Sequence, residues 1–309
     1  MNTEHLNKAI DKFVEALLLL KSAIQTDNTS TKTAPLIAEP TISALSVEDD
    51  MSTFDQIKKA LYSDRWPTAV TPHLICDLTS ETEKQERGQG IIDVVIEDDL
   101  KGLRFLDYGC GEGYTIPAVL KNDSAFAVGY DVKVHDWEKL AGQNTLFTTN
   151  FENVIANGPY DIILMYDVID HLTNENPVSV LNKLKNLLTP TGKIYIRCHP
   201  YIARHATHLY YELNKAFVHL VLTESELRSL NIKFEYEEPN IGIIYPLATY
   251  GKFFEESGLK VLSKREIKDQ VEAFFKIPKI AERIIFNTKS KSFPEFQMGF
   301  LFIDYCLTK

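Results

Sequence analysis

The chain has few cysteines, and none is arranged to act with another. Cys76, Cys110, Cys198 and Cys306 lie far apart with no CxxC pair, which excludes a disulfide scaffold and a zinc ribbon and points to free thiols in a reducing compartment. Cations are also short: 33 Lys and Arg against 43 Asp and Glu leave a net charge of −10 over 309 residues. That balance excludes an extended nucleic-acid coat, which needs cations to meet phosphate, but not a local basic patch. The apolar run at residues 16–20 is far shorter than the ~20 residues of a membrane span. The first residues are acidic and polar where a signal peptide needs a basic region, so a cytoplasmic protein without membrane attachment is expected. No repeat is visible at solenoid periods. What remains is an ordinary globular composition, 44% hydrophobic and 25% charged, sufficient for one large or two modest domains.

Leu6, Ile10, Phe13, Leu17, Leu20 and Ile24 alternate spacings of four and three, the stripe of an amphipathic helix over residues 1–25. Its partner is its own domain, a sister chain (self-association) or another protein; the sequence leaves all three open. Residues 26–50 hold eight Ser/Thr, Pro35 and Pro40 and end in an acidic run, which reads as a linker. A domain follows over 51–309. Helices are expected from Ser52 or Thr53 to Tyr62 and over 81–98, the second with Ile91, Ile92, Val95 and Ile96 inward. Strands are expected at 104–107, 125–131, 145–149, 161–166 and 193–197, with helices at 115–121, 135–140, 154–156 and 177–188 between them. This alternation predicts a parallel α/β sheet covered on both faces, with ligands at the carboxyl ends of its strands.

The densest signal is Phe105, Leu106 and Asp107 running into Gly109, Gly111 and Gly113, the wording of a strand, a tight turn and a helix N-terminus that can hold a ligand. With Gly129, Tyr130 and Asp131 closing the second strand, the run from Tyr160 through Tyr166, Asp167 and Asp170 to Leu172, and the run from Leu188 to Ile196, it forms a series over about residues 100–200 that resembles the successive motifs of class I S-adenosylmethionine-dependent methyltransferases. The resemblance implies a Rossmann-like, seven-stranded, mostly parallel sheet with its last strand antiparallel. Residues 260–266 and 298–307 would supply the last two strands. The implied cofactor is S-adenosyl-L-methionine, held by Asp107, Gly109, Cys110, Gly111, Gly113, Asp131, Asn150, Phe151 and Tyr166. The residues agree: alternating glycines preceded by an acid suit an ammonium or sulfonium better than the pyrophosphate of GxGxxG folds. Asp131 is expected on the ribose. At Asn150 the family commonly has an acid for the adenine, and the amide offers one acceptor oxygen instead.

The fourth strand ends in Tyr166 and Asp167 with no Asn/Asp-Pro-Pro-Tyr motif, which disfavours exocyclic-amine methylation of bases; the form resembles the branch acting on small molecules, quinone precursors and some RNA positions. After the fifth strand, Arg197, His199, Arg204, His205 and His208 concentrate positive charge in an acidic chain. Arg197, Arg204, His205 and Tyr201 are therefore expected to bind an anionic small molecule, nucleotide or RNA acceptor. His199 is the leading general base, with His171 and Asp167 as alternatives; His171 can equally cap the next helix. No metal is expected, because the histidines lack a carboxylate or cysteine at familiar offsets. Cys198 is expected to be an inert buried thiol. Two insertions, about 200–250 and 270–296, should carry specificity; the first reads as a cap with helices at 206–222 and 224–230, whose aromatics either stack an acceptor or form its core. An alternative is a non-catalytic methyltransferase-fold protein acting in assembly or regulation through the N-terminal helix and insertions.

Overall fold

The computed structural model describes residues 53–63, 66–70, 80–172, 175–200, 203–205, 209, 213–230, 245, 247–268, 283 and 300–309. The amphipathic helix, the linker, Tyr201, His208 and nearly all of the second insertion lie outside the described residues.

Helix α1 (Thr53–Leu61) and helix α2 (Glu81–Val95) precede the sheet. A capping box starts α2: the Ser80 hydroxyl accepts from the Glu83 N–H while the Glu83 side chain reaches back to the Ser80 N–H, satisfying two otherwise orphaned donors. Of the four residues expected inward, Ile92, Val95 and Ile96 are buried and Ile91 is half-buried, and the helix stops at Val95 rather than at 98. Then β1 (Arg104–Tyr108), α3 (Thr115–Lys121), β2 (Phe126–Tyr130), β3 (Thr145–Thr148), α4 (Phe151–Ala156), β4 (Tyr160–Tyr166), a 3-10 turn (Ile169–His171), α5 (Pro177–Asn186) and β5 (Leu188–Cys198) alternate. Short cap helices α6 (Val218–Val221) and α7 (Glu224–Ser229) follow, and α8 (Leu247–Glu256), β6 (Lys260–Lys268) and β7 (Phe300–Thr308) complete the order.

The seven strands form one sheet in the order β3-β2-β1-β4-β5-β7-β6. β1 lies parallel to β2 and β4, with Asp107 opposite Gly129 and Leu164, whereas β7 runs antiparallel between β5 and β6. Successive side chains of a strand face opposite ways. Leu106 and Tyr108 thus join the core under α4, α5 and α8, while Phe105 joins the core under α2 and α3. This is the Rossmann-like arrangement that the sequence motifs implied.

Two local expectations are corrected. Residues 135–140 form turns, not a helix, because Trp137 folds back to donate its indole N–H to the Gly111 carbonyl (2.8 Å) and stacks on Phe147. The long cap helix over 206–222 is not formed across 213–217: Phe217 sits in the left-handed region (φ 56°) just ahead of the four-residue α6. The cap also takes in an element placed elsewhere by the sequence. Ile57 and Leu61 of α1, with Trp66 and Ala69, share one core with Ala203, Leu209, Phe217, Leu220 and Val221. Trp66 donates to the Ala216 carbonyl (2.9 Å), and Ala216 N–H donates to the Pro67 carbonyl (3.0 Å). Phe217 is therefore cap core, not a stacking platform. Among the described residues no helix is long and apolar enough to cross a membrane.

Candidate active site

The glycine turn leaves β1 at Tyr108. Gly109 and Gly113 adopt φ of 83° and 84°, where a side chain is strained. A Cβ on Gly109 would come 2.4 Å from a Val168 methyl, and one on Gly113 2.5 Å from the Phe147 ring. The turn is held from β2: the N–H groups of Gly109 and Cys110 both donate to the Tyr130 carbonyl (2.7 and 2.9 Å), and Gly111 N–H donates to the Asp131 carboxylate (2.8 Å). Asp131 thus meets the turn directly, and its other oxygen accepts from Lys133 N–H.

Asp107 is buried beneath the turn and accepts from the Thr115 hydroxyl. Burial pushes its pKa up to about 7; the Thr115 hydrogen bond opposes this and the nearby charge of Asp131 adds to it. Burial likewise pushes the Cys110 thiol up, so it is no thiolate. Asp107, the 109–113 turn, Tyr166 and Asp167 line a cavity of about 270 Å³ together with Lys84, Arg87, Gly88 and Ile91 of α2. Lys84 is paired with Glu112 (2.7 Å), whereas Arg87, exposed at the cavity, makes no hydrogen bond or ion pair with a described residue.

The α2 wall was not legible as site, although one signal pointed there: glycines at 88 and 90 inside a helical pattern cost about 1 kcal/mol each and ask for a reason. Gly88 has one, since a Cβ there would fall 2.2 Å from the Tyr114 carbonyl oxygen. Gly88→Ala is expected to push α2 off the turn and lower unfolding stability by about 1–3 kcal/mol; an unchanged denaturant midpoint would contradict this packing.

A second group lies at the ends of β4 and β5. Asp167 occupies the left-handed region (φ 55°), and its N–H donates to the Arg197 carbonyl (3.1 Å). This turns its carboxylate toward His199, whose Nε2 lies 3.2 Å from Asp167 Oδ1. The His199 ring is buried, with His205 edge-on at 4.5 Å and Phe302 at 4.7 Å between centroids. Burial pulls its pKa down, but the charge and hydrogen bond of Asp167, with Asp170 behind, outweigh that and leave it above the usual imidazole value. Asp167 lines the cavity and His199 does not, so the carboxylate faces the cavity and the imidazole stands behind it.

Other candidates fall elsewhere. Arg197 donates from Nε and Nη2 to the two carboxylate oxygens of buried Asp304 (2.6 and 2.7 Å), between the rings of Tyr166 and Phe302, so it is an internal brace rather than a surface cation. His205 is buried beside His199, and half-buried Arg204 donates to the Thr68 carbonyl; the basic run is not a free patch. Asn150 caps α4 by accepting from Glu152 N–H (3.0 Å), and Phe151 packs edge-on against Tyr108 and Tyr130; neither lines the cavity. His171 is exposed at the end of the 3-10 turn, and the cap of α5 is Asn176 instead. Cys198 is buried, which pushes its thiol well up.

A family model described as a methyltransferase domain matches residues 71–264, more than half of the chain. No curated protein matches the chain significantly. Among solved structures, the S-adenosylmethionine-dependent methyltransferase of Archaeoglobus fulgidus is 12% identical with a TM-score of 0.47, over 73% of this chain and 94% of that one. The Aquifex aeolicus enzyme of the same description is 15% identical with a TM-score of 0.43, over 78% and 100%. The Burkholderia thailandensis 1,6-didemethyltoxoflavin-N1-methyltransferase, solved with 1,6-didemethyltoxoflavin and S-adenosylhomocysteine, is 11% identical with a TM-score of 0.43, over 75% and 82%. With the family model spanning the glycine turn, the cavity and the Asp167–His199 pair, the chain belongs to the methyltransferase-domain family and thereby to the class I S-adenosylmethionine-dependent methyltransferases.

Proposed function

We propose that this protein transfers the methyl group of S-adenosylmethionine to a small-molecule or nucleotide acceptor whose reacting oxygen or nitrogen carries a proton, and that Asp167 receives that proton. The observation that carries the reading is the Asp167–His199 pair, 3.2 Å apart, at the cavity walled by the glycine turn.

The cavity suits the cofactor. A buried carboxyl at Asp107 fits an ammonium or sulfonium, and Arg87 on the α2 wall fits a carboxylate. One cavity thus offers partners for both charges of an α-amino-acid end, and these two side chains with the 109–113 turn would hold it. When bound, S-adenosylmethionine supplies a methyl group made electrophilic by its sulfonium. The chain's own part is to fix the acceptor and take its proton. The Asp167 side chain is 25% exposed and reaches the cavity, while His199 at 5% is shut off from water. A proton accepted by Asp167 passes to His199, and the carboxylate then faces an imidazolium. An anionic charge on the acceptor is not demanded by this site, since the guanidinium expected to meet it is bound to Asp304.

Calorimetry with S-adenosylmethionine tests the reading. Micromolar binding is expected, about tenfold weaker in Asp107→Asn and weaker in Asp131→Ala; absence of binding at about millimolar cofactor would overturn it. Because the Asp107 pKa is raised to about 7, its carboxyl is neutral below that pH and offers no charge to a cation. Affinity should therefore fall as pH drops through about 7 and level off above it.

A further inference from the structure

Asp170 has no part in the cavity, yet it is fully buried in the 3-10 turn after β4, and neither carboxyl oxygen meets a hydrogen-bond donor among the described residues. A buried carboxyl without partners is costly, and a native one calls for an explanation. Titratable groups from four neighbouring segments act on it electrostatically. They are Cys198 and His199 at the end of β5, Asp167 after β4, His171 on its own turn, and Tyr245 and Tyr250 at α8. Two of these are acids or weak acids of its own sign, two are phenols, and two are imidazoles. Of the imidazoles, His199 is buried with it and His171 is exposed. The 3-10 turn that carries Asp170 packs on β5, at whose end His199 sits, and the charges of both Asp170 and Asp167 act on that buried ring.

We infer that Asp170 is a positioning residue for His199, the second carboxylate of an acid–imidazole–acid cluster, which balances the positive charge His199 acquires when a proton arrives through Asp167. The inference rests on the proton-transfer reading of the Asp167–His199 pair. With both acids ionised and the ring neutral, the cluster carries two negative charges; after uptake of the acceptor's proton it carries one. Uptake thus relieves repulsion between buried Asp170 and part-exposed Asp167 instead of creating an isolated buried cation. Burial raises the pKa of Asp170 itself, so the two groups compete for one proton and titrate as a pair.

The test needs no acceptor. Side-chain nitrogens of the full chain labelled with ¹⁵N-histidine are titrated by NMR, with His199→Gln to assign the His199 signal. In Asp170→Asn the His199 midpoint should move to lower pH. An unmoved His199 midpoint overturns the inference. Should the Asn variant fail to fold, Asp170→Leu removes the charge together with the unpaired polar group, and the same shift is expected. A purely structural role would change the unfolding midpoint without moving His199. Calorimetry on the same samples separates the two readings: a wild-type chain that binds no S-adenosylmethionine sinks the methyl-transfer reading, whereas a stationary His199 midpoint in a chain that binds it sinks only the role of Asp170.

Discussion

Asp167→Asn is expected to lower methyl transfer by about 10²–10⁴-fold while leaving S-adenosylmethionine affinity within about twofold. The substitution isolates proton acceptance, because Asn keeps the shape and is among the few residues at ease at a φ of 55°. Cofactor affinity should be spared because the charged partners proposed for the amino-acid end are Asp107 and Arg87, not Asp167. The measurement is transfer of label from methyl-labelled S-adenosylmethionine into the small-molecule fraction of a cell extract, beside calorimetry on the same preparation. His199→Gln should also lower transfer, by less, since the carboxylate proposed to meet the acceptor remains. Undiminished transfer in Asp167→Asn would remove it as proton acceptor and return the role to exposed His171 or to His199 itself.

Asp304→Ala should be the most destabilising single change outside the apolar core, costing about 3–5 kcal/mol in denaturant unfolding. Asp304 on β7 accepts from Nε and Nη2 of Arg197 on β5 and also from the guanidinium of Arg265 on β6 (2.7 Å). Its removal leaves Arg197, 7% exposed, as a buried cation between two rings with no counter-charge, and unties the three strands of the antiparallel half of the sheet. Asp304→Asn retains one acceptor oxygen and should fall between. A loss below about 1 kcal/mol, the scale of an exposed pair, would mean that water reaches the guanidinium.

How much was legible follows from where each signal resides. The glycine turn announced itself because its requirements are local: φ values open to glycine, an acid at the preceding strand end and a helix start behind. β1, β2, β4, α2 and α5 were readable for the same reason. The face of Arg197 was not. β5 is buried on both sides from Ile194 to Cys198, apart from a half-buried Lys193 before it, and a strand buried on both faces loses the alternation that tells inside from out. The basic run after it therefore read as a surface, whereas its partner acid lies 107 positions away. The turn over 135–140 was misread because its helical spacing lost to one indole hydrogen bond and a ring stack.

By itself, the sequence determined the alternating strands and helices and the glycine turn with Asp107 and Asp131, because these rest on short-range periodicity and turn chemistry; the seven-stranded order and the cofactor followed from the resemblance that those motifs carry. Only the tertiary structure decided that α1 belongs to the cap, that α2 brings Arg87 and Gly88 to the turn, that Asp167 rather than His199 faces the cavity, and that Arg197 is a brace. Each of those depends on which distant segments share a core or an ion pair. Such pairings are selected by shape and charge after the chain has folded back, so no local pattern carries them.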